Sequence, residues 1–160
     1  MKKGVVAAIV FGVFLAFNSE ASTISFYIIE TGLPEDSGIN RYSVLWENAF
    51  MDVFFDNGYI VSNYPMLRYD SSPQGNILEI SGFDAAEAKD AGVDYILISK
   101  LDYSSSVKSP DLISFYVFTV SQHEIIYEKQ INGKTYGSDR DANDDLKKII
   151  MELVQFVINL

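Results

Sequence analysis

Within a few residues the chain passes from a helical hydrophobic period to a strand period. In INRYSVLWENAFMDVFFDNG, Ile39, Tyr42, Leu45 or Trp46, Ala49 or Phe50, and Val53 recur at three- and four-residue steps. Arg41, Glu47, Asn48, Asp52 and Asp56 take the other side, the pattern of an amphipathic helix with a wide apolar face. Gly58 stands where the left-handed residue after a helix belongs, because glycine has no side chain to clash there. YIVSNYPML then leaves as a strand, and Pro65, which lacks a backbone N–H, suits a sheet edge. Upstream, TISFYIIE alternates Ile24, Phe26 and Ile28 against Ser25, Tyr27 and Ile29, a strand buried on one face and partly buried on the other. Strand, helix and strand in that order make a parallel crossover, so the chain must build a sheet with a helix laid over it.

The remaining segments extend this plan. TGLPEDSG reads as a loop in which Asp36 and Ser37 are available to cap the helix, and RYDSSPQGN reads as another loop. A short helix is predicted around Phe83 to Ala91, stopped by Gly92, with Ile77 to Ile80 equally compatible with helix or strand. VDYILISKL is a strand whose continuous Ile96, Leu97 and Ile98 require cover on both faces. LISFYVFTVSQHEIIYEKQI is a hairpin turning at Ser121 to Glu124. In the last segment Ala142, Leu146, Ile149 or Ile150, Leu153 and Val157 share one face of a helix. The expectation is an α/β (α+β) single-domain sandwich over residues 22–160, a mixed sheet in the order β-α-β-α-β-β-β-α with helices packed on it.

The N-terminus sets Lys2 and Lys3 before an uncharged run from Gly4 to Phe17, followed by Ser19-Glu20-Ala21, a small-residue cleavage site. Fourteen residues of helix reach about 21 Å, short of a bilayer core of roughly 30 Å. The expectation is therefore a signal peptide over residues 1–21, and a periplasmic or secreted product with no stable membrane anchor after cleavage. The chain has no cysteine, which excludes thiol catalysis, disulfides, cysteine-bound zinc and lipidation at the cleavage site. Without Lys2, Lys3 and Glu20 the product carries 10 basic against 21 acidic residues, a net charge of −11. Such a surface repels phosphate backbones, so nucleic acid is not an expected partner.

The helix ending in DVFFDNGYIVSN, the passage DAGVDYILISKLDY and the hairpin FYVFTVSQHEIIYEKQI together resemble a family of bacterial envelope domains. These are the domains of the curli secretion component CsgG, the penicillin-binding-protein activator LpoB and the N-terminal domain of TolB. Ala88, Gly92, Asp94 and Tyr95 match the family's A-x-x-x-G-x-D-Y passage. Glu124-Ile125 match the end of its T-G-E-I turn, with Gln122-His123 in place of Thr-Gly. The resemblance implies a non-enzymatic domain that works by contacting other envelope proteins.

Candidate chemistry is sparse. His123 is the sole histidine and falls in the predicted hairpin turn, without the pocket and orienting partner that a catalytic base needs. Asp84, Glu87 and Asp90 share a short helix, where a solvated polar face explains them better than an acid–base pair. Asp139, Asp141 and Asn143 imitate the spacing of a calcium loop, but its sixth and twelfth positions are Asp144 and Ile150 rather than glycine and glutamate. A helix start accounts for these acids, with Asp144 placed to pair with Lys148. No catalytic residue, metal or cofactor is expected. Trp46, Phe50, Phe54 and Tyr42 belong to the buried helix face. Tyr59, Tyr64 and Tyr69 lie on or beyond a strand suited to an edge and are the candidate binding residues. The expected function is an exported binding module that docks an envelope protein. The alternative is a periplasmic binder of a small ligand or glycan that uses the tyrosine-rich strand end. The sequence does not set the oligomeric state.

Overall fold

The computed structural model describes residues 21–34 and 36–159; the predicted signal peptide, Ala21 apart, lies outside them. Strand β1 (Thr23–Thr31) comes first and helix α1 (Arg41–Asp56) follows it. Next come β2 (Ile60–Asn63), β3 (Leu67–Tyr69), α2 (Ile77–Ser81) and α3 (Ala85–Asp90). The chain ends with β4 (Tyr95–Asp102), β5 (Leu112–Thr119), β6 (Glu124–Asn132) and α4 (Asp139–Ile158). The six strands form one mixed sheet in the order β2-β1-β4-β5-β6, with β3 also on β1. β1 is parallel to β2, β3 and β4, while β4–β5 and β5–β6 are antiparallel. The sandwich expectation holds, with α1 and α4 on one face and α2 and α3 on the other.

One predicted element is split in two, and one ambiguous segment becomes a helix of its own. The second strand is an edge, as Pro65 suggested, but it breaks there. Asn63 pairs with Phe26 and Leu67 with Ile29, so four steps along the edge match three along β1. The short helix predicted around Phe83 to Ala91 is present as α3, and Gly82, with a left-handed φ of 64°, separates it from α2. The ambiguous Ile77 to Ile80 are helical because the Asn76 side chain accepts the N–H groups of Leu78 and Glu79, each at 3.0 Å.

The start of α1 also differs from expectation. Its cap is Asn40, whose Oδ1 accepts the Tyr42 N–H at 2.9 Å, and neither Asp36 nor Ser37 fills that role. Ile39 therefore precedes the helix and leaves its apolar face; it is 82% exposed. The rest of that face is core. Trp46 is fully buried between Phe50 and Phe115, with ring centroids 5.5 and 5.3 Å away, and Phe50, Phe54 and Tyr42 are buried around it. Gly58 takes the expected left-handed conformation, with a φ of 86°. Among the described residues no helix is long and apolar enough to cross a membrane.

Candidate binding cleft

The crossover through α1 and the one through α2 and α3 run over opposite faces of the sheet, and parallel sheets commonly open a ligand crevice where crossovers diverge, at the carboxyl ends of the strands. Here that crevice is closed between β1 and β4. The Tyr103 N–H donates to the Thr31 carbonyl at 2.8 Å, and a Cβ added to Gly32 would lie 2.9 Å from the Ser104 nitrogen. Open space appears one strand over, at the ends of β1 and β3.

Glu30 lies at that place. Extending the Ile24, Phe26, Ile28 alternation by two residues points it toward the α1 face, where it is fully buried. Its neighbour across the parallel ladder is Arg68. The Arg68 Nε–H donates to Glu30 Oε2 at 2.6 Å, and Nη2 reaches the same oxygen. Nη1 donates to the Ser37 hydroxyl at 3.0 Å and the Gly38 carbonyl at 3.2 Å, which pins the loop before α1 to the sheet edge. Glu30 Oε1, also buried, has no hydrogen-bond partner among the described residues. Beneath it, Tyr103 bonds to Ser43 Oγ at 2.7 Å and Asn40 Oδ1 at 3.2 Å. Burial pushes the Tyr103 hydroxyl above its ordinary value; the Ser43 bond opposes this and the charge of Glu30 adds to it.

The ion pair forms the polar end of a cleft of about 540 Å³ whose other walls are Ile39, Val44 and Met66, with Glu47 alongside. The Asn40 amide donates to the Val107 carbonyl at 2.8 Å, which ties the backbone of Val107, 63% exposed, to the residue after Ile39. A second cleft of about 570 Å³ lies between β6 and α4, but its charges satisfy one another. Lys129 meets Glu152 at 2.6 Å, and Asp145 takes both Lys134 at 2.8 Å and the Tyr136 hydroxyl at 2.6 Å. Those hydrogen bonds, Lys134 first, hold the Asp145 carboxyl below its usual range. The second cleft also holds an unpartnered buried group, the neutral Tyr42 hydroxyl, whereas the cleft at Glu30 holds an unpartnered carboxylate oxygen.

The three tyrosines singled out in the sequence do not converge. Tyr59 packs edge-on against Phe54 on the α1 face, with centroids 5.5 Å apart. Tyr64 stacks on Tyr27 at 4.2 Å on the opposite face, where the Tyr69 hydroxyl also donates to the Ile80 carbonyl at 2.9 Å. His123 is exposed in the β5–β6 turn with a φ of 59°, and its N–H donates to the Thr119 carbonyl at 3.0 Å. Asp84 caps α3 by accepting the Ala86 N–H at 2.8 Å, and Glu87 and Asp90 are exposed. The acidic run at α4 is a helix start: Ser138 caps it, Asp139 pairs with Arg41, and Asp145 pairs with Lys134 where an Asp144–Lys148 pair had been expected. Among the described residues no group of three histidine, aspartate or glutamate side chains is placed to hold a metal ion.

Glu30, Arg68 and Ile39 were missed as site residues. The signal for Glu30 was its parity, a charge on the buried side of an apolar strand. Ile39 was hidden because its spacing continued the helix period past the true cap.

Three of the solved structures with a similar fold are the following. One is PelC, a dodecamer from Paraburkholderia phytofirmans, at 12% identity and TM-score 0.47, covering 81% of this chain and 85% of that one. Another is TolB from Acinetobacter baumannii, at 13% and 0.47, covering 84% of this chain and 28% of that one. The third is the LpoB C-terminal domain from Escherichia coli, at 14% and 0.43, covering 72% and 84%. TolB and LpoB are two of the proteins whose domains the sequence resembles. No curated protein matches the sequence. A family model described as "Uncharacterised protein" matches residues 34–134, which takes in Ile39, Arg68 and Val107. With more than half of its length matched, the chain belongs to that family.

Proposed function

We propose that the chain is a non-enzymatic binding module that docks a protein partner in the bacterial cell envelope, through the cleft at the ends of β1 and β3. The observation that carries this reading is the exposed Ile39 on the wall of a concave cleft with Val44 and Met66, while exposed Val107 is tied through its carbonyl to the next residue, Asn40. Apolar side chains grouped at a depression on an otherwise acidic surface favour a partner that covers them. A non-enzymatic role is supported by the cleft's own inventory. It holds no cysteine or histidine, and Arg68 occupies one oxygen of its buried carboxylate. Placement in the envelope is supported by the export signal read from the N-terminal sequence.

The test compares the wild-type chain with an Ile39→Asp/Val107→Asp variant as baits in envelope extract after cross-linking, with insoluble peptidoglycan as a parallel bait. Both substituted residues are exposed, so the variant should melt with the wild type. A protein held by the wild type and lost from the variant supports the reading. Capture that ignores the two substitutions, or retention on peptidoglycan through Tyr64 and Tyr69 instead, overturns it.

A further inference from the structure

We propose that the cleft recognises a lysine side chain of the docking partner, with its ammonium bonded to Glu30 Oε1 and its alkyl stem laid along Ile39, Val44 and Met66. This deepens the binding-module reading and rests on it. Glu30 is a built acceptor, wholly buried, lining the cleft, with one oxygen satisfied and one not. Buried carboxylate oxygens without a donor are uncommon because each forfeits its hydration, so the position calls for an incoming donor. The first-turn N–H groups of α1 do not supply one, since Asn40 takes those of Tyr42 and Ser43. Arg68 is committed to Oε2 and to the Ser37–Gly38 loop.

Charge and shape then select the donor. Two carboxylates, Glu30 and Glu47, face one guanidinium, leaving the cleft net negative on a chain of net charge −10. An arginine from the partner could reach only Oε1, because Oε2 is already taken, and would forgo the two-oxygen fork that favours a guanidinium over an ammonium. An ammonium is a point donor that needs one. Its four-carbon stem lies along apolar walls while the head meets the charge, which matches a wall of Ile39, Val44 and Met66 ending at Glu30.

The experiment is an NMR titration of the ¹⁵N-labelled chain with four probes at fixed ionic strength: Nα-acetyl-lysine amide, the norleucine and arginine analogues, and glucosamine. The expected result is saturable shifts at the amides of Glu30, Ile39 and Met66 with the lysine probe. Norleucine should bind roughly tenfold more weakly, as loss of a charge-assisted hydrogen bond implies. Equal binding of norleucine or arginine, a stronger response to glucosamine, or shifts scattered over the acidic surface would overturn the proposal. Glu30→Gln should abolish the lysine response. Should that variant fail to fold because Arg68 loses its partner, Val44→Lys serves instead: a tethered ammonium should block the free probe, and an undiminished response refutes the assignment. If lysine binding fails while capture of the partner still depends on Ile39 and Val107, the module reading stands and the lysine assignment falls.

Discussion

The two faces of the sheet are covered by unequal means. On one, α1 and α4 contribute 16 and 20 residues and bury a continuous aromatic row from Phe26 through Phe50 to Trp46 and Phe115. On the other, α2 and α3 have 5 and 6 residues and depend on caps by Asn76 and Asp84 and on the Tyr69 hydroxyl. Helices that short do not persist on propensity, so each polar bond that holds them matters individually. The thick face draws its stability from apolar volume, and the thin face from a few directed bonds. A thick layer can also tolerate a cleft at its end, since the core beneath it does not depend on filling that space.

The largest expected effect is on the thick face. Trp46→Ala should lower stability by about 3–5 kcal/mol in urea melts, because the cavity lies between rings that cannot collapse into it. The indole Nε1 has no hydrogen-bond partner among the described residues, so truncation also removes an unsatisfied donor and should pull the loss toward the lower end of that range. A loss below about 1 kcal/mol would erase the contrast between the faces.

A smaller effect should come from alkali. Burial pushes the Tyr42 hydroxyl up to about 12 from an ordinary 10. The folded chain thus favours the neutral phenol, and this contribution is complete below pH 10 and lost as pH rises toward 12. Two units correspond to about 2–3 kcal/mol. Burial raises Tyr103 and Tyr136 in the same direction on this face and Tyr27 on the other. The melting temperature should fall steeply above pH 10, and Tyr42→Phe should make that fall shallower. A variant with the wild-type slope would show that Tyr42 is not a source of the alkaline loss.

On the thin face, Tyr69→Phe removes the hydroxyl that holds the Ile80 carbonyl at 2.9 Å and should cost about 0.5–1.5 kcal/mol. Hydrogen exchange sharpens the comparison: protection should drop in α2 and α3 while α1 and α4 keep theirs. Uniform loss over both faces would mean that the two layers open together.

How much of this was legible follows from the same contrast. The thick face could be read from sequence because a long helix repeats its period often enough to be unmistakable, and Trp46, Phe50 and Phe54 fell where the period put them. The thin face blurred because five- and six-residue helices show barely one period, and their limits are set by Asn76, Gly82 and Asp84 through local capping. Pro65 was read as an edge signal and proved to be one, but the extra residue it introduces into the ladder depends on register with β1, which a single strand does not reveal. The cleft was hardest to see. Glu30 and Arg68 are 38 positions apart and meet only once β3 is laid parallel to β1.

The smallest stability effect is the most informative about the cleft. Ile39 is 82% exposed and stands before the Asn40 cap, so Ile39→Ala removes almost no buried surface and should change stability by no more than about 0.5 kcal/mol. If its side chain serves as a wall for a partner, the same substitution should weaken docking by roughly tenfold, since truncating a well-packed interface anchor commonly costs more than 1 kcal/mol. The two measurements pull apart only if Ile39 works between molecules. A matching loss in both would make Ile39 an unrecognised part of the fold, and no loss in either would move the docking surface away from this end of the sheet.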